Sequence, residues 1–366
     1  MKAVLTWVVL GLMAFSWGGL LIPHAASQEH DFFDLLNQSE RTDGYFSMLN
    51  QADGAVLLRT ARILHVGNEF IDRSNRRFRV TSIENDTAWA EEIRESSAAA
   101  GTDELNTRPV QADEGKPKVG IYHSHGAESY VPDDGTESID QGGGILDVGD
   151  TFSEALEEQG VETVHETETH VPHDAGAYQR SRRTAEKLLI EEEADIIIDL
   201  HRDAVPPEEY AEVVEGEPVT QLLLVVGAQN QNAESNMQLA QDLKGIADER
   251  HPGLVKGILS APGSYNQDLD SSSILVEVGA HENDKGDAER AVVLFADVVN
   301  EYLTGEAAPQ QTERTSRIAG SSVLMVLVAL AAALFVYLLI AAGSWAELKR
   351  KTVSFFRREF ADLRQR

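Results

Sequence analysis

Hydrophobic and polar residues alternate between two periodicities along residues 117–305, and this alternation predicts the fold of the main domain. Apolar runs of strand length occur at 118–122 and 194–200, and segments with helical periodicity occur at 151–159 and 180–193. Further strands are predicted at 161–164, 222–226 and 274–278, and further helices at 237–249 and 288–303. This order predicts an α/β fold with a largely parallel sheet and helices on both faces. In such a sheet, functional groups gather at the carboxyl ends of the strands.

A smaller region at 28–93 shows a different pattern. From Asp43 onwards, the sequence predicts a short helix followed by strands, of which 55–58 and 77–83 are the clearest. Asn75 and its polar neighbours are typical of a hairpin turn. The pattern therefore predicts a small α+β region with a β-containing core.

Residues 94–116 separate these two domains. The stretch is rich in Ser, Ala, Gly and acidic residues, so it contains too little apolar surface to form a core of its own. It is predicted to be an acidic linker.

Residues 1–27 form a long apolar segment before the first domain. Lys2 provides a charged start, and Ala25 and Ala26 provide small residues near the end. These features indicate either a signal peptide that is cleaved or an N-terminal anchor that is retained.

A second apolar segment follows the main domain after a linker at 306–317. No charged residue occurs between Arg317 and Glu347, and this length is sufficient to cross a bilayer. The sequence therefore predicts a transmembrane helix at 318–343. The tail at 344–366 that follows has seven basic and three acidic residues, so it is predicted to be cytoplasmic.

The whole chain is strongly acidic, with 31 basic and 61 acidic residues and a formal net charge of −30. Phosphate binding requires a basic surface, so nucleic acid is excluded as a partner. Because the basic tail belongs inside the cell, the acidic domains are expected on the other side of the membrane. The sequence thus predicts a cell-membrane protein whose main domain is extracytoplasmic.

Candidate chemistry lies in or directly after three apolar strands. His123 and His125 follow the strand at 118–122, His201 follows Leu200, and Glu277 lies in a third strand. The chain contains no cysteine, so only His, Asp and Glu remain as plausible metal ligands. Zinc hydrolases use three such ligands and leave one position for water, whose pKa falls to about 7.

This chemistry suggests a role for each side chain. His125, Glu128 and His201 are assigned as zinc ligands, and Glu277 is assigned as the general base that later acts as the acid. His123 is the alternative to His125. The alternatives to Glu128 are the acidic residues near the next helix, Asp147, Asp150 and Glu154.

These segments resemble the stage II sporulation protein P family, within a wider group similar to zinc-dependent N-acetylmuramoyl-L-alanine amidases. The matching positions are 121–125, 128–130, Tyr178, Ser181, Arg182, Thr184, 198–204, 265–269 and 275–279, and 67–83 resembles the upstream segment of the family. The resemblance implies an amidase fold with one zinc ion and favours His125 over His123 as the ligand. It also implies cleavage of the amide that joins glycan to peptide in peptidoglycan and, on the resemblance alone, of peptide crosslinks.

Six further residues are expected to contact substrate or to orient the ligands: His123, Arg202, Asp203, Tyr265, Asn266 and Gln267. For Arg202 and Asp203, a structural ion pair is the alternative. His165, His170 and His173 lie in a polar stretch that is predicted to be a solvated loop.

The sequence therefore predicts a zinc-dependent peptidoglycan hydrolase that remodels the cell wall, with peptidoglycan, the membrane and other membrane-bound wall-remodelling proteins as partners. The alternative is a non-catalytic wall-binding or scaffold protein built on an amidase fold. The C-terminal span and basic tail depart from the family pattern, in which an N-terminal anchor alone is expected. A role in sporulation consequently does not follow from the sequence by itself.

Overall fold

Thirteen strands and five α-helices form within the residues that the computed structural model describes, which are 40–41, 44–93, 116–174 and 176–305. The strands are β1 (Phe46–Asn50), β2 (Val56–Thr60), β3 (Glu69–Asp72), β4 (Arg77–Glu84), β5 (Thr87–Glu92), β6 (Lys118–Tyr122), β7 (Glu162–His165), β8 (Ile196–Asp203), β9 (Ala211–Val214), β10 (Glu217–Thr220), β11 (Leu222–Gly227), β12 (Val255–Ala261) and β13 (Ser273–Ala280). The helices are α1 (Val131–Asp134), α2 (Gly144–Glu158), α3 (Ala177–Ile190), α4 (Ala233–Arg250) and α5 (Lys285–Thr304). A 3-10 turn covers Pro207–Glu209.

Eleven of the strands form one sheet in the order β2-β1-β5-β4-β3-β12-β11-β13-β8-β6-β7. The part that runs from β12 to β7 is mostly parallel, because only the β11–β13 pair within it is antiparallel. The predicted α/β architecture with a largely parallel sheet is therefore confirmed. Strands β9 and β10 form a separate antiparallel hairpin.

The helices lie on both faces of the parallel part, as alternate residues along β6 show. Val119 and Ile121 join a core cluster that contains apolar residues of α2, α4 and α5. Tyr122 packs instead with Leu188 of α3 on the opposite face. Because successive side chains of a strand point to opposite faces, α3 lies on the other side of the sheet from α2, α4 and α5.

The strands predicted in the main domain are confirmed to within a few residues, and so are three of its four long helices. The helix predicted at 151–159 is also present, but it begins seven residues earlier, at Gly144. The pattern did not predict β12 or the hairpin of β9 and β10. The hairpin turn at Asn75 is confirmed, since β3 and β4 pair on either side of it and Asn75 adopts a φ of 61°. The short helix predicted from Asp43 is wrong for the described residues, where β1 forms instead.

The N-terminal strands extend the main sheet and are not a separate layer. Strand β3 pairs antiparallel with β12, so β1 to β5 continue beyond that edge. The backbones approach closely at Gly257, where a Cβ atom would lie 2.5 Å from the carbonyl oxygen of Ile71. Beyond the end of β2, the Ala61 amide donates a hydrogen bond to Asp203 Oδ1 at 2.8 Å, which brings the next residue, Arg62, to the end of β8.

Several expectations lie outside the described residues. These are the segment at 1–27, nearly all of the linker at 94–116, the linker at 306–317, the span at 318–343 and the tail at 344–366. Among the described residues, no helix combines the length and the apolar character that a membrane span requires.

Candidate metal centre

Three neighbouring strands bring the predicted ligands together. His125 and Glu128 lie in the turn that follows β6, and His201 lies in β8, which pairs in parallel with β6. Strand β13 pairs with the other edge of β8, and Glu277 is the register partner of His201. Parallel strands place their carboxyl ends at one edge of the sheet, so residues far apart in sequence meet there.

Four side chains present possible metal donors at this edge: Glu40, His125, Glu128 and His201. One donor atom from each lies within 4.8 Å of the other three. His125, Glu128 and His201 are buried, and the side chain of Glu40 is 15% exposed. The site therefore combines two imidazoles and two carboxylates with very little contact with solvent.

The distances between these donors fit a tetrahedral zinc site, in which bonds of about 2.0 to 2.1 Å place the donors about 3.3 Å apart. His125 Nδ1 lies 3.2 Å from Glu128 Oε1 and 3.5 Å from Glu40 Oε2. His201 Nδ1 lies 3.6 Å from Glu128 Oε2 and 4.0 Å from Glu40 Oε1. Small movements of these side chains would bring all four donors to zinc-bonding distance.

The charges around the donors favour a cation. Burial alone raises the pKa of Glu128, but Arg202 and His201 outweigh burial and hold this pKa well below its usual value. Burial lowers the pKa of His201, yet Asp199 and Glu128 outweigh it and raise this pKa well above its usual value. The carboxylates that attract a proton to His201 would also attract a divalent metal ion.

Polar neighbours orient two of the donors, through a close contact with Asp199 for His201 and a hydrogen bond for Glu128. Asp199 Oδ1 lies 3.0 Å from His201 Nε2, which leaves Nδ1 facing Glu128, and it also accepts a hydrogen bond from the Ser124 amide at 2.7 Å. The Arg202 amide donates to Glu128 Oε2 at 2.9 Å. Such partners fix the ring orientation and tautomer of a metal-binding histidine.

Glu277 is buried beside the donors and is held by a single arginine. Arg62 Nε donates to Glu277 Oε1 at 2.7 Å, and Arg62 Nη2 lies 2.6 Å from the same oxygen. Glu277 Oε2 is buried and has no hydrogen-bond partner among the described residues. Burial raises the pKa of Glu277 to about 8, although the charge of Arg62 opposes this rise.

His123 points away from the four donors. Its Nδ1 lies 3.0 Å from the carbonyl oxygen of Leu200, and its Nε2 lies 2.7 Å from His165 Nε2. Burial and the neighbouring His165 lower the pKa of His123 to about 3, so the ring stays neutral. The structure therefore brings His125 into the cluster, while His123 supports β8 behind it.

The other residues expected near the substrate have different surroundings. Asn266 donates to Ser181 Oγ at 3.0 Å, and the Tyr265 ring lies 5.4 Å from the guanidinium carbon of Arg62. Gln267 bonds both the amide of Gly227 and the carbonyl of Val225, so its side chain fastens β11 and is not available to a substrate.

Arg202 and Asp203 do not pair with each other. Besides its amide bond to Glu128, Arg202 donates from its side chain to the carbonyls of Ser129 and Glu137 and thereby holds the turn after β6. Asp203 accepts hydrogen bonds from Tyr210 Oη and from the Ala61 amide. Both residues act on the scaffold of the site, and neither orients His201.

The acidic alternatives to Glu128 lie elsewhere. Asp147 pairs with Lys285 at 2.6 Å, and Asp150 accepts a hydrogen bond from His165 at 2.8 Å. Glu154 is exposed on α2. None of the three belongs to the donor cluster among the described residues.

Glu40, Arg62 and His173 also lie at the site and were not among the predicted site residues. His173 lies in an exposed loop, as predicted, but its ring packs on His125 with centroids 3.9 Å apart, and its Nε2 lies 3.5 Å from Glu40 Oε2. The same prediction is wrong for His165, which ends β7, and for His170, which is buried. The one available signal for Arg62 was its position next to Ala61 and apolar neighbours, which is unusual for an exposed arginine. Glu40 carried no signal.

A family model and a curated relative both identify the same protein family. The family model for stage II sporulation protein P matches residues 65–300. Stage II sporulation protein P of Bacillus subtilis (strain 168) is 32% identical over 211 residues, which are 53% of this chain and 53% of that protein. The chain thus spans about half the length of this curated relative.

Solved structures show weaker similarity. The CwlD amidase from Clostridioides difficile, determined in complex with the GerS lipoprotein, is 13% identical with a TM-score of 0.37 and covers 52% of this chain and 100% of its own. The N-acetylmuramoyl-L-alanine amidase AmiC2 of Nostoc punctiforme is 17% identical with a TM-score of 0.31 and covers 53% of this chain and 98% of its own.

The contact between Asp199 and His201 predicts a weaker metal site when the carboxylate is neutralised. In Asp199→Asn, the side-chain oxygen can still face His201 Nε2 and accept from the Ser124 amide, but the loss of the negative charge weakens the attraction that orients the imidazole and supports its binding to metal. We expect the affinity for Zn²⁺ to fall about 10- to 100-fold, measured by competition with a chelator. Asp195→Asn is the matched control, because Asp195 Oδ2 accepts from the Lys118 amide away from the cluster. Equal affinities in the two variants would show that Asp199 does not orient the histidine.

Proposed function

Because the chain belongs to the stage II sporulation protein P family, we propose that it is a zinc-dependent peptidoglycan hydrolase that acts in cell-wall remodelling. The bond we propose is the amide between glycan and peptide, as in an N-acetylmuramoyl-L-alanine amidase. Cleavage of peptide crosslinks is a second reaction that the family resemblance implies.

One observation supports this proposal above all. His125, Glu128 and His201 bring their donors within 4.8 Å of one another, and Glu277, a buried carboxylate, lies opposite His201 on the next strand with one oxygen that has no hydrogen-bond partner among the described residues. A scaffold protein needs no such combination of metal donors and a buried acid with one oxygen unbonded. The arrangement fits hydrolysis, which needs both a metal site and a group that moves protons.

The residues divide the chemistry between them. A bound zinc ion would supply Lewis acidity that activates water and polarises the scissile carbonyl. Glu277 would take a proton through Oε2 from the attacking water and then deliver it to the leaving amine. Asp199 would hold His201 in the metal-binding tautomer throughout.

The proposed mechanism requires that Glu40 does not occupy the metal position that water or substrate needs. A structural zinc site has four protein ligands, whereas a catalytic site keeps one position open. With His125, Glu128 and His201 as the permanent ligands, the Glu40 carboxylate would be close enough to hold the metal as a fourth ligand. We infer that Glu40 leaves this position before substrate binds, and that the arrangement described is the closed form of the site.

We also propose that the enzyme is anchored at 318–343, with the catalytic domain outside the membrane and the tail at 344–366 in the cytoplasm. The basic tail and the acidic domain support this orientation. Other membrane-bound wall-remodelling proteins are the proposed partners. A reporter fused after Arg366 is expected to behave as cytoplasmic, and external activity of the reporter would overturn the orientation.

Substitution of the ligands and of the base should separate metal binding from catalysis. His125→Ala and His201→Ala are each expected to lose most of the zinc and the hydrolysis together, whereas Glu277→Gln should keep about one zinc per chain. Hydrolysis by Glu277→Gln should fall by about 100-fold or more, because the group that transfers the proton is gone. Elemental analysis and mass spectrometry of the ends released from purified sacculi measure the two properties. Normal turnover by Glu277→Gln would contradict the mechanism, and a zinc-loaded protein that releases no ends would favour a wall-binding scaffold.

Removal of the Glu40 carboxylate should open the site. If the closed form is populated about nine times in ten, Glu40→Ala should raise kcat/KM on sacculi by about 10-fold while zinc content stays near one per chain. Glu69→Ala is the control, since Glu69 pairs with Arg79 on the neighbouring strand away from the donors. Loss of zinc in Glu40→Ala, to the extent expected for Glu128→Ala, would identify Glu40 as a permanent ligand.

A further inference from the structure

Arg62 is an arginine whose side chain is completely buried next to the proposed site. Its exposed fraction is 0%, and it follows β2, outside residues 65–300 that match the family. Burying a guanidinium costs free energy unless other groups pair with it, so the partners of Arg62 indicate its role.

Among the described residues, the hydrogen-bond and ion-pair partners of the Arg62 side chain belong to the site. Nε and Nη2 contact Glu277 Oε1, and Nη1 donates to Tyr178 Oη at 2.7 Å and lies 2.6 Å from Glu40 Oε1. The ring of Tyr178 in turn lies 5.2 Å from the ring of His125. An arginine with a purely structural role would contact the scaffold, whereas this one joins the general base to the surroundings of the metal donors.

The contact with Glu277 is asymmetric. Arg62 Nε donates a hydrogen bond to Oε1, and Nη2 lies 2.6 Å from the same oxygen without hydrogen-bond geometry, so the guanidinium approaches the carboxylate from the side of Oε1. The other oxygen, Oε2, stays without a hydrogen-bond partner among the described residues. A base held in this way presents one oxygen in one direction, and proton transfer is sensitive to such positioning.

We propose that Arg62 is a positioning residue for the hydrolytic reaction: it clamps Oε1 of Glu277 so that Oε2 faces the reacting water and the leaving group. This inference rests on the proposed function and adds a residue from the N-terminal region to it. Arg62 acts through Glu277 and does not bind the metal.

A double-mutant cycle tests this role in the full-length protein. Arg62→Gln is expected to lower kcat on sacculi by about 10- to 100-fold, with little change in KM and with zinc near one per chain. In the Glu277→Gln background, the same substitution should change kcat by less than about 2-fold, because the group it positions is already absent. Equal losses in the two backgrounds would show a structural role and overturn the proposal.

Arg62→Lys provides a second measurement if Arg62→Gln does not fold. An ammonium can approach Oε1 but cannot supply the planar fork that also reaches Tyr178, so kcat should lie between those of the wild type and Arg62→Gln. The loss caused by Arg62→Lys should likewise disappear in the Glu277→Gln background. A loss that persists there would contradict the proposal.

Arg59→Gln is the matched control. Arg59 lies three residues earlier, on β2, and pairs with Glu209 outside the site, so its replacement should leave kcat unchanged. If the wild type binds no zinc or releases no ends from sacculi, the proposed function fails. If the wild type is active and Arg62→Gln lowers kcat equally in the wild type and in the Glu277→Gln background, only the proposed role of Arg62 fails.

Discussion

Buried charge that must be neutralised by other buried charge is the constraint on which the centre of this protein depends. Glu128, Glu277 and Asp199 are almost fully buried, and ionised carboxylates in such surroundings are costly unless cations or hydrogen-bond donors face them. Arg62 and the amide of Arg202 face Glu277 and Glu128 from two different parts of the chain, although burial still raises the pKa of Glu277 to about 8. The N-terminal strands are therefore as necessary to the site as β6, β8 and β13.

The same constraint explains why a metal ion suits the remaining donors. His125 and His201 face two carboxylates at distances close to those of a tetrahedral zinc site. A cation at their centre would add to the positive charge of Arg202 and Arg62, which already contact Glu128 and Glu40. Stability and the proposed chemistry thus depend on one arrangement of charge.

The positions of His125, His201 and Glu277 could be predicted because each depends on local pattern. An apolar strand followed by a histidine is visible in a few consecutive residues. Because the carboxyl ends of parallel strands meet at one edge of a sheet, these side chains could be expected to lie close together. Arg62 could not be assigned in this way, because its contact with Glu277 joins residues 215 positions apart. Strand β1 was mistaken for a helix for a related reason, since its pairing with β5 and β2 decides its conformation. The contact of His173 with His125, made from an exposed loop, could not be predicted because nothing in the neighbouring sequence indicates it.

The pairing of β3 with β12 has a consequence for the order in which the protein matures. Contacts between distant parts of a chain form slowly, because the entropy of closing a long loop must be overcome first. Arg62 can meet Glu277 only after nearly all of the intervening chain has been made and folded. A partly synthesised chain consequently lacks the contact between Arg62 and Glu277, so the proposed hydrolytic activity would be acquired as one of the last events of folding.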